Sequence, residues 1–167
     1  MRLQTVLFCI LYLSQKACIC TENYGPFKML ITKFDVCTGP RNKDCTVLNA
    51  TILGGGNLNV DVKVKQNCNP SKAKILVISN GKELVRLQMN KPCDHLFLRP
   101  LLESLFTVTK NCVILKGDYN CKLDVEQIGT SYFGGKFFYG NMTFKSIFYG
   151  NDCNFSCTQL HVTLSPK

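Results

Sequence analysis

Between Leu58 and Lys65 the chain alternates without a fault: Leu58, Val60, Val62 and Val64 are apolar, while Asn59, Asp61, Lys63 and Lys65 are polar. Successive side chains of a strand point to opposite faces, so this period of two predicts a half-buried antiparallel strand. Upstream, Leu48, Ala50 and Ile52 share an apolar face, with Asn49 and Thr51 on the other. Gly54-Gly55-Gly56 separates the two segments and reads as a turn, because no Lys-Ser or Lys-Thr follows as a phosphate-binding loop would require. Downstream, strand-like runs at residues 74–79 and 82–87 flank Asn80-Gly81. Both central residues of a type I′ turn need positive φ, which makes Asn-Gly a strong hairpin signal. Towards the C-terminus Phe138, Met142, Phe144 and Phe148 fall on one face of a long strand interrupted by Gly140, with Asn141, Thr143 and Lys145 opposite. A last strand sets Leu160, Val162 and Leu164 against Gln159, His161 and Thr163.

One segment follows another period. Leu98, Leu101, Leu102, Leu105 and Phe106 form the i, i+3, i+4, i+7, i+8 series of an amphipathic helix, expected over about 98–108. Pro100 suits its first turn, where a missing N–H costs nothing. Cys93 and Cys112 flank this helix, and a bridge between them is predicted to close the excursion. The pattern predicts an all-β antiparallel domain with one short inserted helix. Its two sheets, each with one apolar face, either pack as a filled sandwich or part to enclose something apolar.

Eleven cysteines refine the picture. Cys9, Cys18 and Cys20 lie in a stretch that reads as an export signal over residues 1–20: Arg2, an apolar segment at residues 6–13, then Ala17-Cys18-Ile19-Cys20. It is too short to span a bilayer, which takes about 20 apolar residues. The other eight, Cys37, Cys45, Cys68, Cys93, Cys112, Cys121, Cys153 and Cys157, are an even set in the expected mature domain, residues 21–167. Such a set implies a disulfide framework of up to four bridges formed in an oxidising compartment, and a secreted protein. Sequons at Asn49, Asn141 and Asn154 make these three the candidate glycosylation sites. Asn49 and Asn141 fall on the polar faces of their strands.

The chain carries 20 Lys and Arg against 11 Asp and Glu, net +9; loss of Arg2 and Lys16 with the signal lowers this by two, to +7. That excess favours acidic partners such as lipid headgroups. The basic residues are scattered singly, as at Lys63, Lys65, Lys72, Lys74, Lys82 and Arg86, without the clustered face that nucleic-acid binding needs. Nothing converges for catalysis. His95 and His161 are the only histidines, and the adjacent Cys93, Asp94 and His95 cannot all reach one substrate atom. Cys153 and Cys157 have no second pair at zinc spacing. No cofactor, metal or enzymatic activity is expected.

The segment from Cys93 to Phe106, continuing through Asn111-Cys112 to Lys116-Gly117-Asp118-Tyr119, resembles the middle of the ML superfamily of lipid-recognition proteins. Within it the ganglioside activator and the insect chemosensory secreted proteins of the CheB type are most similar in layout. Gly134-Gly135-Lys136-Phe137-Phe138-Tyr139-Gly140 stands where those families carry a late Gly-rich aromatic strand. Val113 departs from the proline usual after the second helix-flanking cysteine, and Cys68 and Cys121 lack counterparts in the insect members. The resemblance implies an immunoglobulin-like sandwich opened into a β-cup, and a tie from Cys37 to Cys153 or Cys157. It further implies a lipid or other hydrophobic ligand held between the sheets, for transport or presentation, with a chemosensory role among the options. Leu48, Ile52, Val60, Val62, Val64, Leu102, Phe106, Phe138, Met142, Phe144 and Phe148 would line that cavity; each also reads as ordinary core. Peripheral membrane contact and a cell-surface receptor are the other partners to expect. The competing expectation is a filled-core interaction protein that modulates a receptor or channel.

Overall fold

The computed structural model describes residues 23–167, so the expected export signal, with Cys9, Cys18 and Cys20, lies outside the described residues. The element order is β1 (Tyr24–Gly25), β2 (Phe27–Val36), β3 (Thr46–Gly54), β4 (Asn57–Val64), β5 (Lys72–Ser79), β6 (Lys82–Asn90), α1 (Leu98–Leu105), β7 (Gly117–Asp124), α2 (Val125–Phe133), β8 (Phe137–Phe138), β9 (Gly140–Tyr149) and β10 (Asn154–Pro166). A 3-10 turn at Pro92–Asp94 precedes α1. The larger sheet has the order β2-β10-β9-β5-β6 and the smaller β3-β4-β7; β1 and β8 form a short ribbon. Every strand pair is antiparallel.

The hairpins follow from local chemistry. Asn80 and Gly81 both take positive φ, at 50° and 73°, and close β5 onto β6. In the β3–β4 turn Gly55 has φ 56°, and a Cβ on Gly56 would lie 2.7 Å from that of Glu126. This turn docks on two elements, since Gly55 O accepts from Ile31 N and Gly56 O from Val125 N, each at 2.8 Å. Leu58, Val60, Val62 and Val64 are all buried, as the alternation requires.

The two sheets meet through hydrogen bonds along one side, while on the other the Cys93–Cys112 bridge joins the segment after β6 to the segment before β7. On the hydrogen-bonded side the edge of β2 meets the β3–β4 hairpin through Ile31 and Gly55, and Met29 N donates to Glu126 Oε2 at 2.8 Å. Cys45, just ahead of β3, is bridged to Cys153, just ahead of β10. Beside that bridge Asn154 exchanges backbone hydrogen bonds with Lys43 and Cys45, and Thr46 Oγ1 donates to Phe155 O. The opposite edges, β6 and β7, are not paired with each other. The result is a two-sheet sandwich opened into a β-cup, with both helices beside the gap.

Three elements differ from expectation. The first helix ends at Leu105, short of 108: Phe106 is extended, with φ −135° and ψ 157°. Its ring instead stands edge-on to Tyr119 and Phe155, with centroids 5.2 and 5.3 Å away. A second helix, α2, follows β7 directly. Asp124 caps it by accepting from Gln127 N at 2.8 Å, and Gly134 ends it at φ 68°. Third, Phe138 does not continue β9. Gly140, at φ 113°, breaks the run and sends Phe138 into β8 against Tyr24.

Disulfides join Cys37 to Cys157, Cys45 to Cys153 and Cys93 to Cys112. Among the described residues no fourth bridge forms, and Cys68 and Cys121 are free buried thiols. Cys121 lies four strand residues, about 13 Å, from Gly117, whereas Cys68 bridges Ile114 beyond that end of β7. Cysteines more than about 7 Å apart at Cα cannot be joined without moving backbone.

Candidate functional site

Between the sheets lies a cavity of about 320 Å³, within the range of small-ligand sites. The larger sheet supplies three adjoining rows of its inner wall. Phe34, Leu160 and Phe144 lie side by side across β2, β10 and β9. The next row holds Thr158 and Ser146, with Ile75 of β5 beyond; the third pairs Ser156 with Phe148. The smaller sheet faces them with Leu48, Leu58, Val60, Val62, Cys121 and Leu123.

The helices cover the gap with aromatic and branched side chains. Leu98, Leu101 and Leu105 of α1, with Phe97 before it and Phe106 after it, face the cavity. So do Val125, Ile128, Tyr132 and Phe133 of α2. An aromatic chain runs along this side: Phe97 to Tyr132 and Tyr132 to Phe133 at 5.1 Å, then Phe133 to Phe137 at 4.5 Å. Phe144 packs behind them, 6.3 Å from Phe133 and 6.2 Å from Phe137. Among the described residues no Asp, Glu, Lys, Arg or His lines the cavity.

Six expected wall residues, Leu48, Val60, Val62, Phe106, Phe144 and Phe148, do line the cavity. The other five do not. Met142 belongs to the next row, with Val162 and Ile31, and all three are buried in the core. Val64 is packed at the Cys45 end, opposite Thr46. Leu102 points from α1 into solid core. Ile52, beside the Gly54 turn on an edge strand, stays 37 % exposed, and Phe138 on the β1–β8 ribbon 47 %. Missed from sequence were Met29, Phe34, the α2 face and the hydroxyls of Ser146, Ser156 and Thr158. An Asp124-to-Gln127 cap followed by Val125, Ile128 and Tyr132 at helical spacing was the available signal for α2.

Both free thiols are shifted upward in pKa. Burial pushes Cys68 from 9.0 to about 11. Burial, and then the charge of Asp61, raise Cys121, whose Sγ donates to Leu105 O at 3.3 Å. The histidines stand apart from the cavity: His161 Nε2 lies 3.2 Å from Asp35 Oδ2 and its Nδ1 3.1 Å from Thr143 Oγ1. His95 packs near Tyr132 at 6.5 Å. Among the described residues no three His, Cys, Asp or Glu side chains gather as metal ligands.

Of the three sequons, Asn49 and Asn141 are exposed. Asn154 is 2 % exposed, and its amide is consumed: Nδ2 donates to Arg41 O and Asp44 Oδ1, while Oδ1 accepts from Arg41 N. In the folded protein it offers no nitrogen to a glycan, so the expectation for Asn154 is corrected.

No protein-family model matches the chain, and no curated protein matches it. Among solved structures it is similar to the crystal structure of chicken MD-1 complexed with lipid IVa, with 10 % identity and a TM-score of 0.36 over 87 % of this chain and 94 % of that one. Among the described residues no helix is long and apolar enough to cross a membrane.

Proposed function

We propose that this protein is a secreted carrier or presenter of a lipid or other hydrophobic ligand, built as an ML-like β-cup, with residues 1–20 removed on export. The observation that carries the reading is the cavity of about 320 Å³ between the sheets, walled mainly by apolar side chains and, among the described residues, without a charged one. A ligand tail entering it leaves water, worth about 0.8 kcal/mol for each buried CH₂ before ordering costs. The protein's part is binding rather than bond-making.

Native mass spectrometry after mild extraction tests the carrier reading: a carrier retains co-purified lipid, whereas a filled-core interaction protein emerges at its bare mass. The Phe144→Asp variant is the matching control. Its carboxylate would face a space large enough to keep it hydrated while blocking acyl chains, so uptake of a fluorescent fatty probe should fall at least about tenfold in a variant that still folds. Wild-type uptake by that variant would overturn the assignment of this wall.

A further inference from the structure

An acyl chain needs nothing polar from its container, yet the larger sheet sets three hydroxyls in the middle of the cavity wall. Ser146 of β9 lies directly across from Thr158 of β10, and Ser156 is the next inward residue along β10. Around them stand Phe144 and Leu160 in the row on one side, Phe148 and Phe155 on the other, and Ile75 on the neighbouring strand. Each hydroxyl carries one proton and two lone pairs. Ser146 Oγ and Thr158 Oγ1 are 2.8 Å apart and share one hydrogen bond, which uses one of their two protons and leaves the other for a guest.

A strand face meant only for hydrocarbon gains nothing from replacing Val or Ile by Ser and Thr, because a hydroxyl facing an apolar space without a partner is costly. The absence of charged lining side chains also argues against a guest whose charge sits at this depth.

We propose that Ser146, Thr158 and Ser156 form a polar subsite that selects an uncharged ligand with a hydrogen-bond-accepting oxygen within its chain, such as a ketone, ester or ether, over a plain hydrocarbon. This rests on the carrier reading and deepens it. The free hydroxyl proton of the Ser146–Thr158 pair donates to the guest's oxygen. Ser156 stands beside the same point along the strand.

The test displaces a fluorescent fatty probe with two ligands of about a dozen carbons, 6-dodecanone and dodecane, from wild type and from a Ser146→Ala/Thr158→Val double variant. For each ligand the wild-type affinity is divided by the variant's, so that differences in water solubility cancel. The ketone should lose about five- to tenfold in the variant, the range of one net hydrogen bond, while dodecane holds or tightens. Thr158→Val alone, which keeps the side chain's shape, should show the same direction and guards against a folding defect in the pair. Ketone and alkane responding alike would overturn the subsite and leave the carrier standing. If wild type takes up neither ligand nor the probe, the carrier reading fails along with it.

Discussion

At the scale of single residues, the two free thiols and one buried amide have measurable consequences. Cys68 keeps its proton up to about pH 11 in the folded protein, against an ordinary thiol value of 9.0. The folded form therefore binds the proton more tightly than the unfolded one. The stability this contributes is complete below pH 9 and is lost progressively between 9 and 11. Denaturant midpoints of wild type should fall more steeply across that interval than those of Cys68→Ala; parallel curves would contradict the burial of the thiol. Asn154 is the second case. Replacing it by Asp sets a carboxylate where an N–H now meets Asp44 Oδ1 at 2.8 Å, and strips Arg41 O of its donor. The Asn154→Asp variant should lose about 2–4 kcal/mol in a denaturant titration. Glycopeptide mapping of the exported protein should find sugar on Asn49 and Asn141 and none on Asn154. Occupancy at Asn154 in folded material would mean that this corner is not built as described.

Elements made from local signals were the legible ones. The alternation of β4, the Asn80-Gly81 turn and the period of α1 all depend on neighbours within a few residues, so they could be read from the chain. The second helix is shorter on such signals: Gly129 lies in its interior, and Val125, Tyr132 and Phe133 are weak helix formers. Tertiary contacts hold it instead, through Val125 N to Gly56 O and Glu126 to Met29 N. Which apolar residues line space and which fill it was not legible at all. Met142 and Phe144 are two residues apart on one face of one strand, yet the first is packed and the second borders the cavity. Only the separation of the sheets at each row decides that, and separation has no one-dimensional signature. Gly129 offers a test of α2 as an element. A Cβ there would meet Met29 Cε and Phe27 Cζ at 3.7 Å, ordinary contact distances. Gly129→Ala should stabilise by about 0.5–1 kcal/mol through reduced backbone entropy, raising Tm by a few degrees. A fall in Tm would mean that the helix is tighter against β2 than these distances allow.

For the whole molecule, the two long-range disulfides are nested. Cys45 follows Cys37 by eight residues and Cys157 follows Cys153 by four, so once either bridge exists the other closes only a short loop. Chain-entropy reasoning assigns about 5 kcal/mol to the first long closure and about 3 to a second, short one. Replacing one pair by alanine should thus cost about 3 kcal/mol, and replacing both clearly more than twice that. Strict additivity would show that the bridges act through native contacts rather than through the unfolded chain. The unpaired edges of β6 and β7 have a different consequence. No backbone ladder runs from β6 to β7, and beyond the end held by the Cys93–Cys112 bridge the gap between these edges has no strand-to-strand hydrogen bond to fix its width. A closed barrel fixes the size of its guest through its girth, whereas here capacity is set by helices and side chains leaning over a seam fastened at one end. Affinity along a homologous series of ligands should then climb by a steady increment per carbon and level off gradually, rather than collapse at one forbidden length.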